Sequence, residues 1–215
     1  MTQPTSTATP LDEMTMHMNA TDVAAMPLNK HQLPSAFAAF DLLREIELTN
    51  ATLAGHLVQS HTEASLQDLG RISGFVREFA IPAGAATLAE EPSDILMCGT
   101  VAHNFDRPES VSRWIDETFV RDLRNSVGVE QANGHTVAGV EILNVSGFHG
   151  QAAGLLVLHE VPNGTLASTV VDFQIGSLLG VSYVTAKRDM ALTVEATEIA
   201  LSLEQQMVKV VLGSA

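Results

Sequence analysis

Four side chains in this sequence are of types that do chemistry: His149, His159 and Asp172, with Cys98 upstream. The stretch "NVSGFHGQAAGLLVLHEVPNG", residues 144–164, sets His149 between glycines and His159 inside an apolar run. Glycines there let backbone approach a ligand closely. An Asp that orients a His is half of a nucleophilic triad, and Ser146, Ser168 or Ser182 would supply the hydroxyl. The His–Asp pair alone would suit general acid–base work. On that reading the chain is a small hydrolase or transferase using a His of the 149–172 region, with Cys98 as the other candidate nucleophile.

Spacing weighs against it. "VPNGT", residues 161–165, is the clearest hairpin signal, since Pro162 fixes φ and Gly164 tolerates positive φ. A hairpin centred on residues 163 and 164 pairs 159 with 168 and sets Asp172 opposite residue 155. His159 and Asp172 are then roughly 13 Å apart along the strand, at about 3.3 Å per residue. "VSGFHG" is not the G-x-S-x-G elbow of hydrolases. The chain has no G-x-x-x-x-G-K-[ST] phosphate loop, and no Lys or Arg occurs between 125 and 186. The glycines at 147, 150 and 154 precede a strand rather than a helix, unlike a dinucleotide fingerprint. Cys98, followed by Gly99, reads best as a small buried residue at a strand end, and with no second Cys it forms no internal disulfide. His56 and His61 stand five apart, on different helix faces, and no metal-site spacing is found. Met14, Met16, His17 and Met18 combine ligands that suit soft Cu(I), but no second cluster accompanies them. Glu90 and Glu91 fall in a linker before Pro92. No cofactor is expected, and the structural role is the better expectation for each histidine.

The elements that must position these residues follow from periodicity. Residues 1–34, rich in Thr, Met, Pro and Ala, read as a flexible arm. From Ser35, Phe37, Phe40, Leu43, Ile46, Leu53 and Leu57 recur at mostly helical steps. Leu66, Leu69, Ile72, Val76 and Phe79 continue the pattern. One long helix or a helical hairpin is predicted over 35–82, ended by Pro82 and Gly84. Residues 95–215 form the second unit. "ILMCGTV" (95–101) is a buried strand, and a helix runs from Pro108 to about Val127 with Arg113, Glu117 and Arg121 as a surface ladder. Residues 136–186 alternate as short strands, and a last helix, 190–212, buries Leu192, Ala196, Ile199, Leu203, Met207 and Val210. The fold class is α+β: a long N-terminal helix or hairpin, then an antiparallel sheet packed with two helices.

Bulk composition bounds the function. The formal net charge is -14, with three lysines among eleven basic residues. Such a surface repels phosphate backbones, so no nucleic-acid partner is expected. No apolar run approaches the roughly 20 residues of a membrane helix, so no membrane insertion is expected. No classical signal peptide is visible, which suits a cytoplasmic protein or part of an assembled particle. A seam from Phe37 to Phe79 exceeds what its own chain covers. The expectation is therefore a non-enzymatic, self-associating structural or assembly protein, a homo-oligomer or subunit of a larger complex. The eleven seam residues would be its interface. A ligand-binding or sensory module of the same fold, without chemistry, is the third possibility.

Overall fold

A computed structural model describes residues 10–57, 61–82, 94–130, 135–162, 164–187 and 190–214. Seven strands form a single antiparallel sheet in the order β1-β2-β3-β7-β6-β5-β4. They are β1 (Asp41–Glu47), β2 (Arg71–Ala80), β3 (Ile95–Phe105), β4 (Thr136–Leu143), β5 (Ala152–Val161), β6 (Gly164–Ile175) and β7 (Leu178–Lys187). Two meanders meet where β3 pairs with β7. Glu90 and Glu91 lie outside the described residues.

The long helix or hairpin over 35–82 does not form, which overturns the expected fold class. That segment holds β1, α3 (Asn50–Ala54), α4 (Glu63–Asp68) and β2. The pairs Val76↔Val101 and Phe79↔Cys98 put Val76 and Phe79 on opposite faces of the sheet, whereas a helix would place them together. Both faces of β2 are buried, so apolar residues fall on each, and their combined spacing mimics a helical stripe. Local chemistry ends the helix early. Thr62 and Ser65 close a capping box at the start of α4, and Gly70, at φ 85°, ends it two residues after Asp68.

The expected interface residues divide accordingly. Phe37, Phe40, Leu53, Leu66, Val76 and Phe79 are buried in the protomer's own cores. Ile46, Leu57 and Leu69 are half-buried, and Leu43 and Ile72 are exposed. Among the described residues, these eleven do not form one continuous exposed ridge.

The expected free arm is also corrected from residue 10 onward. Helices α1 (Pro10–Thr15) and α2 (Ala20–Ala25) lie against the sheet, α2 capped reciprocally by Asn19 and Asp22. Val23, Met26 and Leu28 are buried with Phe37, Phe40 and Phe79. The Leu28 N–H donates to Thr100 Oγ1 at 3.0 Å, and Arg77 donates to the carbonyls of Pro27 and Ala24. Each fully buried side chain of this size stabilises by about 1.5–3 kcal/mol, enough to hold a 25-residue segment that lacks a sustained repeat. Met14 and Met16 are exposed.

Helices cover both faces. On one, α7 (Thr193–Val211) lays Ala196, Ile199, Leu203 and Met207 over Val171, Phe173, Val184 and Cys98. On the other, α3, α4 and a helical stretch from Pro108 to Asn125 pack on Phe105, Leu155 and Leu179. That stretch is α5 (Pro108–Arg113), a π-helical segment (Trp114–Asp122) and α6 (Leu123–Asn125). Arg121 reaches Glu117 at 3.5 Å, but Arg113 leaves the ladder and donates to the Asp68 carbonyl at 2.9 Å, near the end of α4.

Candidate functional site

Between the helices and the sheet's second face lies a cavity of about 360 Å³. Its floor is three adjacent rows of cross-strand neighbours. The first runs Arg44, Glu78, Gly99, Tyr183, Val170. The second runs Ile46, Val76, Val101, Val181, Asp172. The third includes Gly74, His103 and Leu179. The roof is Leu53 and Leu57 from the α3 region, with Trp114, Thr118, Phe119 and Asp122 from the π-helical segment. Its i→i+5 bonding widens the turn, a feature that recurs at functional sites.

Polar groups cluster at two ends of a mostly apolar wall, with His56, His61, Thr118 and Asp122 on the helical side. At one end, Glu78 is 5% exposed, takes the Tyr183 hydroxyl and two contacts from Arg44, one of them 2.9 Å long. Burial, then the Glu78 charge, pushes the Tyr183 phenol well above its ordinary value, while the bond to Glu78 raises Arg44. The phenol stays protonated and donates.

At the other end, Arg71 is buried without a carboxylate partner among the described residues. Its guanidinium donates to Leu48 O at 2.7 Å, to Asn50 Oδ1 and to His103 Nδ1 at 3.0 and 3.2 Å. Burial lowers Arg71 to about 10, still charged at neutral pH. Since arginine only donates, His103 Nδ1 must accept, and the ring proton sits on Nε2. Burial first, and the Arg71 charge second, hold His103 neutral by lowering it well below the usual range. The His103 ring packs against Trp114 at 6.0 Å. Asp172 also meets Trp114. Burial pushes its carboxyl up to about 8, against a hydrogen bond from the indole that acts downward. Asp172 is therefore a neutral acid at pH 7.

Two strand glycines make room for these groups. A Cβ at Gly74 would stand 2.3 Å from His103 Nδ1 and 2.6 Å from Arg71 Nη2. A Cβ at Gly99 would stand 2.5 Å from the Tyr183 ring. Gly99→Ala should therefore displace that ring and its bond to Glu78, costing about 1–3 kcal/mol. Gly139→Ala, whose Cβ meets nothing closer than 3.7 Å, is the control and should cost less in urea denaturation.

The four residues read from the sequence do not converge. Only Asp172 lines the cavity. The hairpin pairs Val161 with Gly164, so Asp172 faces Ala153 rather than residue 155, six positions from His159. That is about 20 Å along the strand. His159 lines a shallower groove on the same face, beyond Tyr183, with Ser168 and Thr185. His149 is exposed over the α7 face, where Glu204 of α7 accepts its backbone N–H at 3.0 Å. Cys98 pairs with Val184 on the α7 face, and burial raises its thiol to about 12, which removes it as a nucleophile. His61 lies 3.8 Å from Asp122 at the cavity's helical side.

Arg44, Arg71, Glu78, His103 and Tyr183 escaped notice in the sequence. For Arg71, Glu78, His103 and Tyr183 the signal was a polar or ionisable residue inside a largely apolar strand; Arg44, in the charged strand β1, gave none.

The molecule is thus of the class in which one antiparallel sheet, helix-covered on both faces, encloses a cavity. No protein-family model and no curated protein matches the chain. Its fold resembles the crystal structure of the extracellular domain of PknH from Mycobacterium tuberculosis, with a TM-score of 0.52 and 11% sequence identity. The likeness covers 86% of this chain and 99% of that one. At that identity it is a likeness of fold. No helix among the described residues is long and apolar enough to cross a membrane.

Proposed function

We propose that this chain is a binding module for a small, largely apolar molecule. One observation supports this most: a cavity of about 360 Å³ whose wall is largely apolar, built from valines, leucines, Trp114 and Phe119, with polar groups at both ends and His61 and Asp122 on its helical side. That volume and pattern suit a small-ligand site. Binding is favoured over catalysis because Cys98, His149 and His159, three of the four candidates read from the sequence, lie outside the cavity. Asp172 holds its proton, and His103 has Nδ1 engaged and its basicity depressed. Tyr183 is the opposite of an activated nucleophile. The resemblance to an extracellular domain extends over nearly all of that chain, so the shared architecture is that of a whole domain.

An uncharged, environment-sensitive dye such as Nile red tests the reading. Its fluorescence should rise on saturable binding to the native protein. Val181→Phe, which fills the floor, should weaken binding at least tenfold while circular dichroism is unchanged. Equal binding by parent and variant would place the dye elsewhere and end the proposal.

Self-association remains a second reading, on different ground from a helical seam. Edge strand β1 exposes Leu42 and Leu43, at 52% and 58%. Edges carrying apolar side chains invite pairing with another copy, although Asp41, Arg44, Glu45 and Glu47 oppose it. Light scattering should show a dimer that Leu43→Lys dissociates. A monomer at high concentration would dismiss this reading.

A further inference from the structure

We propose that the cavity's ligand carries a carboxylate, seated beside Trp114 between His103 and Asp172, with its hydrocarbon part along the valine floor. This rests on the binding reading above and names the class of molecule bound.

Three observations converge. Arg71 is a buried cation, 2% exposed, whose acceptors among the described residues are neutral: a carbonyl, an amide oxygen and an imidazole nitrogen. An unpaired buried charge favours a counter-ion close by. His103 stands between Arg71 and the cavity it lines. Its Nδ1 takes the guanidinium's hydrogen, so Nε2–H is the donor polarised by the cation behind it. Trp114 fixes the location of the second group. It packs against the His103 ring and lines the same cavity as Asp172, which sits on the adjacent row of the floor. A protonated Asp172 is a donor as well as an acceptor. Two donors and a nearby cation select a group that only accepts, and a carboxylate does so most strongly.

The far end offers no comparable seat. Glu78 is already satisfied by Arg44 and Tyr183, and an anion there would meet its charge. A cationic head at the Trp114 end would face the buried Arg71 charge behind His103.

The test uses the intact protein and the Nile red signal. Octanoate, octanol and octylammonium share a chain and differ in the head. At pH 7, octanoate should displace the dye at a concentration at least tenfold below that of octanol, with octylammonium weakest. His103→Phe keeps the ring on Trp114 and removes the donor. It should abolish octanoate's advantage over octanol. Should that variant fail to fold, the ranking on the parent protein still decides. Equal displacement by octanoate and octanol, or strongest displacement by octylammonium, would overturn the carboxylate assignment while leaving a binding cavity. Absence of any dye binding would remove the binding reading itself.

Discussion

Asp172→Asn should make the protein progressively more stable than the parent as pH rises from about 4 to about 8, and no further above that. In the folded chain Asp172 is 2% exposed, and burial lifts its carboxyl to about 8. In the unfolded chain it titrates near its ordinary value of about 3.9. Between those limits the folded state holds a proton that the unfolded state has released. Stability therefore falls with rising pH, at most by about 1.4 kcal/mol per unit for one group. The accumulated cost reaches the order of 4 kcal/mol by pH 7. Asparagine has nearly the same shape and does not titrate. Urea denaturation of both proteins at pH 5, 7 and 9 separates this group from the other carboxylates, because only the difference is read. A difference that stays constant across the three conditions would mean that Asp172 is ionised when folded.

The second large effect concerns the opposite end of the cavity. Arg44→Met should cost about 3–5 kcal/mol, because it leaves Glu78 buried and short of its cationic partner. The Glu78 side chain is 6% exposed and the Arg44 side chain 44% exposed, so the penalty falls on the carboxylate. Glu78→Leu is expected to cost less, since Arg44 can turn to water. The pair of changes together should recover most of the loss, as apolar replacement of buried ion pairs often does. A double-mutant cycle by urea denaturation measures the coupling. Additive losses would show that the two groups act independently and that the packing of the Arg44 stem, rather than its charge, matters.

Much of the chain could be read in advance because its signals are local. The strands from Thr136 to Lys187 alternate between turn residues, and the 108–125 and 193–211 helices carry their own apolar stripes. Cys98 as a small buried residue followed from type and neighbours. Residues 41–47 and 71–80 were not legible in this way. Val76 and Phe79 stand three apart, which suits either a helical face or two faces of a doubly buried strand. Only pairing with β3 chooses between them, and that partner is some twenty residues away.

The site was less legible still. Which of two neighbouring strand residues faces the cavity depends on register, and the β5–β6 hairpin differs from the simplest pairing by enough to move Asp172 two positions along its partner. His103 and Asp172 come from β3 and β6, and share a cavity only because β7 sits between those strands, while Arg71 of β2 backs His103. The sequence alone determined the strands and turns from Thr136 onward and the strongly acidic balance of charge, since these depend on near neighbours and composition. Only the tertiary structure decided which ionisable groups were buried together, because strand order and pairing set their faces, and burial then set their protonation.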